Sequence, residues 1–240
     1  MKRYEYLLFD ADNTLFDFSL AEYISFGETC RAGNLPYSEE LYRTYSEIND
    51  SLWKRIEKKE ITLEFLKTER FRLLLLTMGW ADDEATLRKA EELRDTYVET
   101  LGQQTCIVDG AEELCKALAG RYKMYLVTNG IGRIQRSRFG KSALKPYFDG
   151  IFISEEMGTA KPEKAYFDHV LREIGSPERE KCLVIGDSLT SDCDGAIASG
   201  LDICWYNPKN GDAKNRALTY TVTKLSDIIR LLDESETELD

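Results

Sequence analysis

The sequence predicts an α/β fold, a parallel sheet wound with helices on both faces, with a helical bundle inserted into it. Short, continuous apolar runs recur at Tyr6–Phe9, Met124–Val127, Gly150–Ile153, Cys182–Ile185 and Ile203–Tyr206. Helical patterns separate the later runs, near Asp109–Ala119, Ile131–Phe139, Pro162–Ile174 and Asp192–Ser199. The interval between Phe9 and Met124 carries almost no strand signal and is far too long for one crossover.

Strands that are apolar throughout, instead of alternating, are covered on both faces, which is the situation in a parallel sheet. Right-handed crossovers then restrict the topology to a doubly wound arrangement. Within the long interval, helical periodicity suggests helices at Phe18–Ala32, Ser38–Lys59, Thr62–Met78 and Asp82–Leu101. Gly33-Asn-Leu-Pro36, Lys58–Thr62 and Gly79-Trp-Ala-Asp82 read as the breaks between them. The expected division is therefore a core of residues 1–16 and 107–240 and a helical insert of residues 17–106. The acidic tail Asp233–Asp240 is expected to be frayed.

The 240 residues carry a formal net charge of −11. That balance argues against nucleic-acid binding, which depends on neutralising phosphates with Lys and Arg. It leaves room for a small phosphorylated substrate, because a metal ion and one Lys reverse the field locally. The six cysteines show no CxxC pair and no metal-ligand spacing, so they read as small buried hydrophobes. The chain starts Met-Lys-Arg-Tyr and runs straight into a strand pattern, with no signal-peptide core and no membrane-length apolar stretch. A cytoplasmic protein with no membrane partner, a monomer or a weak homodimer, is expected.

In an open parallel sheet, ligands bind at the carboxyl ends of the strands. Asp10-Ala-Asp-Asn-Thr14 follows the first strand, Thr128-Asn-Gly130 the second, and Gly186-Asp-Ser-Leu-Thr-Ser-Asp192 the fourth. Lys161-Pro162 opens the helix beyond the third. Each alone is ordinary turn or capping chemistry. Four such elements, each at the same end of its strand, bring carboxylates, a hydroxyl and an ammonium to one edge.

With these motifs the sequence resembles the haloacid dehalogenase-like (HAD) hydrolase superfamily over nearly its whole length. Asp10-Ala-Asp-Asn-Thr-Leu15, Leu126-Val-Thr-Asn129, Lys161, and Gly186-Asp187 with Asp192 are similar to that family's four motifs. The insert is similar to its C1 cap. Phe9–Phe16 and Ser154–Pro162 resemble the bacterial pyrimidine 5′-nucleotidase branch. The resemblance implies a Rossmann-like core with strand order 5-4-1-2-3 and a Mg²⁺-dependent phosphatase that works through an aspartyl-phosphate.

Asp10 is then the nucleophile and a metal ligand, and Asp12 the general acid and base, its backbone carbonyl also on the metal. Asp187 completes the metal shell, and Asp192 orients Lys161 or the waters on the metal. Thr128 and Asn129, the latter through its amide, bind the phosphoryl oxygens together with Lys161. The implied substrate is a nucleoside monophosphate. A sugar-phosphate phosphatase or phosphomutase on the same scaffold stays open, as does a non-catalytic binding protein on a degenerate fold. Phe16, Phe18, Tyr23, Trp53 and Trp80 are candidates for stacking on a base, with hydrophobic packing as the alternative. Asp194 and His169, the only histidine, read as structural. Gly130-Ile-Gly132 lacks the third glycine of a dinucleotide fingerprint.

Overall fold

The computed structural model describes residues 4–237. The chain divides into two compact units, residues 19–104 and the remainder.

The larger unit is built on a sheet of β1 (Tyr6–Phe9), β2 (Lys123–Thr128), β3 (Gly150–Ile153), β4 (Cys182–Gly186), β5 (Asp202–Tyr206) and β6 (Tyr220–Val222). The order is β3-β2-β1-β4-β5-β6, and every neighbouring pair is parallel. The five expected strands take the expected order. The sixth, β6, is an addition: Tyr220-Thr-Val222 is too short and too mixed to stand out as an apolar run.

Successive residues of each strand serve opposite faces. Leu7, Phe9, Met124, Leu126, Leu183 and Ile185 face one core with α5 (Ala111–Leu118) and α10 (Leu225–Thr237). Leu8, Val127, Val184 and Ile203 face the other with α8 (Lys164–Glu173) and α9 (Asp194–Ala198). Burying each such side chain contributes roughly 1.5–3 kcal/mol. Helix α10 corrects the expectation of a frayed tail through Thr237, because Leu225, Ile228 and Leu232 bury a continuous stripe. Residues 238–240 lie outside the described part.

The smaller unit contains α1 (Phe18–Ala32), which starts at the division, α2 (Glu39–Glu57), α3 (Leu63–Thr77) and α4 (Glu84–Gln103). The last three begin one or two residues later than expected, because Ser38, Thr62 and Asp83 are extended caps. Their side chains accept from the amides of Leu41, Phe65 and Thr86. Phe26 stacks on Tyr45 at 4.6 Å and Tyr45 on Phe71 at 5.5 Å in the bundle interior.

All six cysteines are free. Burial pushes the thiols of Cys115, Cys182, Cys193 and Cys204 up to about 12 and that of Cys30 to about 11. None of the five is reactive at neutral pH. No helix among the described residues is long and apolar enough to cross a membrane.

Candidate active site

The first motif is a tight loop. Its geometry requires a residue in the left-handed region, and Asn13 takes it at φ 62°. The amides of Leu15 and Phe16 both donate to Ala11 O, closing the turn. The Asp10 amide still pairs with Ile185 O at 2.8 Å, so Asp10 stands at the rigid end of β1 beside β4.

Lys161 is the centre of the site. Its Nζ donates to Asp10 Oδ1 at 2.6 Å, Asp192 Oδ1 at 2.7 Å and Val127 O at 2.8 Å. All three donors of the ammonium are therefore used. The loop that carries it is fastened to the end of β2: Asn129 Nδ2 donates to Lys161 O at 2.8 Å, and Lys161 N donates back to Asn129 Oδ1 at 3.0 Å. This occupies the Asn129 side chain and leaves its backbone amide as the group available to a ligand. Thr128 Oγ1 accepts from Gly130 N at 3.0 Å, so its own proton remains for another acceptor.

Asp10, Asp187 and Asp192 each present a carboxylate oxygen within 4.8 Å of the others. Burial, followed by the charges of Asp192 and Asp187, drives the Asp10 pKa well above the usual range, against the pull of Lys161. Burial and then Asp192 push Asp187 up to about 7. For Lys161, burial works against the charge, but Asp10 and Asp192 outweigh it and raise the pKa further. Fully ionised, the three carboxylates would exceed the one ammonium by two negative charges, and the raised pKa values of Asp10 and Asp187 reflect that surplus together with burial. An all-oxygen donor set with that surplus fits a hard divalent cation such as Mg²⁺. Asp192 enters this cluster although the motif reading gave it only an orienting part. Both its oxygens are engaged, Oδ1 by Lys161 and Oδ2 by Ser188 N at 3.1 Å.

The Asp12 carboxylate stands outside the cluster. Gln135 Nε2 donates to its Oδ2 and Arg138 Nη1 to its Oδ1, each at 2.5 Å. Both donors come from α6 (Gly132–Lys141), the helix expected near Ile131–Phe139, but neither side chain is among the candidate site residues. Their spacing, two long polar residues three apart on one helical face, is also that of a solvated surface, so it does not single them out. Around the cluster, Thr14 Oγ1 donates to Asp187 Oδ1 at 3.4 Å and Trp205 Nε1 to Asp187 O at 2.8 Å.

Several candidate residues have other duties. Phe16 is fully buried, its ring 5.0 Å from the Arg138 guanidinium carbon, and offers no stacking surface. Phe18 lies 5.9 Å from the same carbon. The Tyr23 hydroxyl donates to Glu39 at 2.6 Å. Trp53 is half-buried and Trp80 exposed. Arg216 clamps both oxygens of Asp194, at 2.6 and 2.8 Å. His169 is half-buried mid-helix, 3.9 Å from Glu173.

The chain is similar to known proteins over nearly its whole length. The chain is 35% identical over 234 residues to the pyrimidine 5′-nucleotidase PynA of Streptococcus pneumoniae, covering 97% of this chain and 96% of that one. It is 31% identical over 231 residues to the pyrimidine 5′-nucleotidase YjjG of Escherichia coli, covering 96% and 98%. The HAD-hydrolase YfnB of Bacillus subtilis is 35% identical over 238 residues, 99% of each chain. Its crystal structure, bound to magnesium, matches with a TM-score of 0.88 over 97% of this chain and all of that one. The model of haloacid dehalogenase-like hydrolases matches residues 4–200. With its motifs on one sheet edge and its relatives matched end to end, the chain belongs to the haloacid dehalogenase-like hydrolase family.

Proposed function

We propose that this hydrolase is a Mg²⁺-dependent phosphatase that cleaves phosphomonoesters through Asp10, and that its substrates are pyrimidine nucleoside 5′-monophosphates. The observation that carries the reading is the cluster of Asp10, Asp187 and Asp192 around the buried Lys161, whose three carboxylates, fully ionised, exceed the ammonium by two negative charges. Asp10, Asp187 and the Asp12 backbone carbonyl would hold Mg²⁺, which would supply the charge neutralisation that lets a carboxylate meet a phosphate.

Asp10 attacks phosphorus, forming the acyl-phosphate bond as the phosphorus–oxygen bond to the leaving group breaks. In its protonated form Asp12 gives its proton to the departing alkoxide. It then takes a proton from the water that attacks the aspartyl-phosphate, which frees inorganic phosphate and restores Asp10. Thr128 and the Asn129 amide face the phosphoryl oxygens, while Lys161, its three N–H groups already taken up, contributes its positive charge and keeps it throughout. Asp192 orients Lys161. The division into a core of residues 1–16 and 107–240 and a cap of residues 17–106 belongs to the same proposal. The compact unit of residues 19–104 supports it, and the cap carries substrate discrimination.

The nucleotide assignment rests on PynA and YjjG, both named pyrimidine 5′-nucleotidases. Its test is phosphate release under identical Mg²⁺ across UMP, dUMP, dTMP, AMP, GMP, nucleoside triphosphates and hexose phosphates. The pyrimidine monophosphates have the highest kcat/KM. A hexose phosphate that outruns every nucleotide overturns the nucleotidase assignment, and no release from any ester overturns the phosphatase.

A further inference from the structure

We infer that Arg138 and Gln135 are positioning residues that hold the Asp12 carboxylate for proton transfer to the leaving oxygen, fitting the site to esters of poor leaving groups. The inference rests on the phosphatase reading above and assigns a task to two side chains outside the motifs.

The geometry is specific. Each oxygen of the Asp12 carboxylate receives its own donor, Arg138 Nη1 on Oδ1 and Gln135 Nε2 on Oδ2. Two donors from residues three apart on one helix fix the carboxylate plane as well as its position. The Arg138 side chain is wholly buried, while that of Asp12 keeps 24% of its surface. The anchor is thus sealed in the core, and the group it holds remains accessible.

A buried guanidinium carries a desolvation penalty of several kcal/mol, and such a group is retained where its contacts offset that. Arg138 is placed by packing under Phe16, the residue that closes the motif loop. Gln135 is placed by Gly130: a Cβ there would stand 2.1 Å from Gln135 Nε2 and 2.8 Å from its Cγ. The loop after β2 therefore admits this amide because residue 130 carries no side chain. Arg138 thus meets the chain just past the first motif, at Phe16, and Gln135 meets it just past the second, at Gly130.

The test separates proton donation from the other steps. The ratio kcat/KM reports events through the first irreversible step, here departure of the leaving group. The UMP sugar oxygen leaves as a strongly basic alkoxide and needs the proton. p-Nitrophenolate is weakly basic and leaves without it. Gln135→Ala, Arg138→Lys and Arg138→Ala are compared with Asp12→Asn on both esters, with circular dichroism as the check on folding.

The expected result is a loss of about 10²-fold or more in kcat/KM for UMP and of about tenfold or less for p-nitrophenyl phosphate, the split Asp12→Asn also gives. Added guanidinium ion restores part of the UMP activity of Arg138→Ala. Equal losses on the two esters in folded Gln135→Ala and Arg138→Lys overturn the inference, whatever Arg138→Ala does. If the unsubstituted protein cleaves neither ester, it is the phosphatase reading that has failed.

Discussion

Lys161 Nζ and Asp10 Oδ1 are 2.6 Å apart, and their side chains keep only 1% and 10% of their surface. A lysine this deep would normally lose its proton, since burial disfavours the charged form. It keeps the proton because Asp10 and Asp192 both face it. The ammonium and the carboxylates around it are thus parts of one balance. Removing any of them changes what the rest require.

Lys161→Met removes the ammonium and keeps most of the stem. Turnover falls about 10²–10³-fold, the loss typical of removing one preorganised electrostatic contribution to a transferring group. The variant also melts at a lower temperature, because Asp10 and Asp192 are left as buried charges without their partner. Mg²⁺ then raises its melting temperature by more than it raises that of the unsubstituted protein. Thermal melts at increasing Mg²⁺ and an assay of phosphate release check both. A variant with undiminished turnover contradicts the role of Lys161.

Asp10→Asn removes the attacking charge while keeping the shape. Phosphate release drops to near background and the fold persists. EDTA abolishes release by the unsubstituted protein, and added Mg²⁺ restores it. Mg²⁺ at about a hundred times its dissociation constant adds roughly 2.7 kcal/mol to the unfolding free energy, and less in Asp10→Asn. Full activity in EDTA rules out the metal's part in the reaction.

The sheet and the four motifs are readable in the sequence because both are local. Met124–Val127 and Cys182–Ile185 are apolar at every position, which a strand covered on both faces requires. The helical insert is legible because its periodicity is long and its caps, Ser38, Thr62 and Asp83, carry capping side chains. What stays hidden is set by packing. Phe16 looks available beside Asp12 in the sequence, yet the loop turns it into the core. Gln135 and Arg138 read as the polar surface of a helix, because nothing local says that α6 lays that face against the first motif. In the bundle, Glu22, Asn49 and Arg70 read as surface charges and amide, yet they form a buried chain. Asn49 Nδ2 donates to Glu22 Oε1 at 2.9 Å, and Arg70 Nη1 to Asn49 Oδ1 at 3.3 Å.

That chain makes the helical unit pH-sensitive. Burial pushes the Glu22 carboxyl up to about 7, despite the nearby Arg70. A carboxyl whose pKa is higher in the folded state binds its proton more tightly there. Its contribution to stability is therefore complete below the unfolded value, near 4.5, and is lost as pH rises through about 7. The amount is on the order of 3 kcal/mol. Glu22→Gln keeps an amide oxygen for Asn49 and cannot titrate. The fall in unfolding free energy between pH 5 and pH 8 is therefore smaller in the variant, by roughly 2–3 kcal/mol. Urea titrations at the two pH values measure it, and identical falls in both proteins contradict the buried-acid reading.

Gly186 tests the centre of the site without touching a reacting group. It ends β4, and a Cβ built on it would lie 2.3 Å from Asp192 Oδ2, 2.4 Å from its Cγ and 2.7 Å from its Cβ. Asp192 is fully buried and cannot swing into solvent. It is pinned at one oxygen by Lys161 and at the other by the Ser188 amide. Gly186→Ala must therefore displace Asp192, loosen Lys161 and change how Asp10 is held. Misplacing a reacting group by about 1 Å costs on the order of 10²-fold in rate, and a loss of that size in kcat is expected. Overpacking lowers stability by about 1–3 kcal/mol, so the sheet survives and circular dichroism stays close to that of the unsubstituted protein. Removing bulk from the other side reverses part of the effect. In Gly186→Ala with Asp192→Ser, the shorter side chain makes room for the methyl group, and the stability of the double variant exceeds the sum expected from the two single changes. Additive losses would mean that the methyl group is accommodated elsewhere and that Gly186 does not set the position of Asp192.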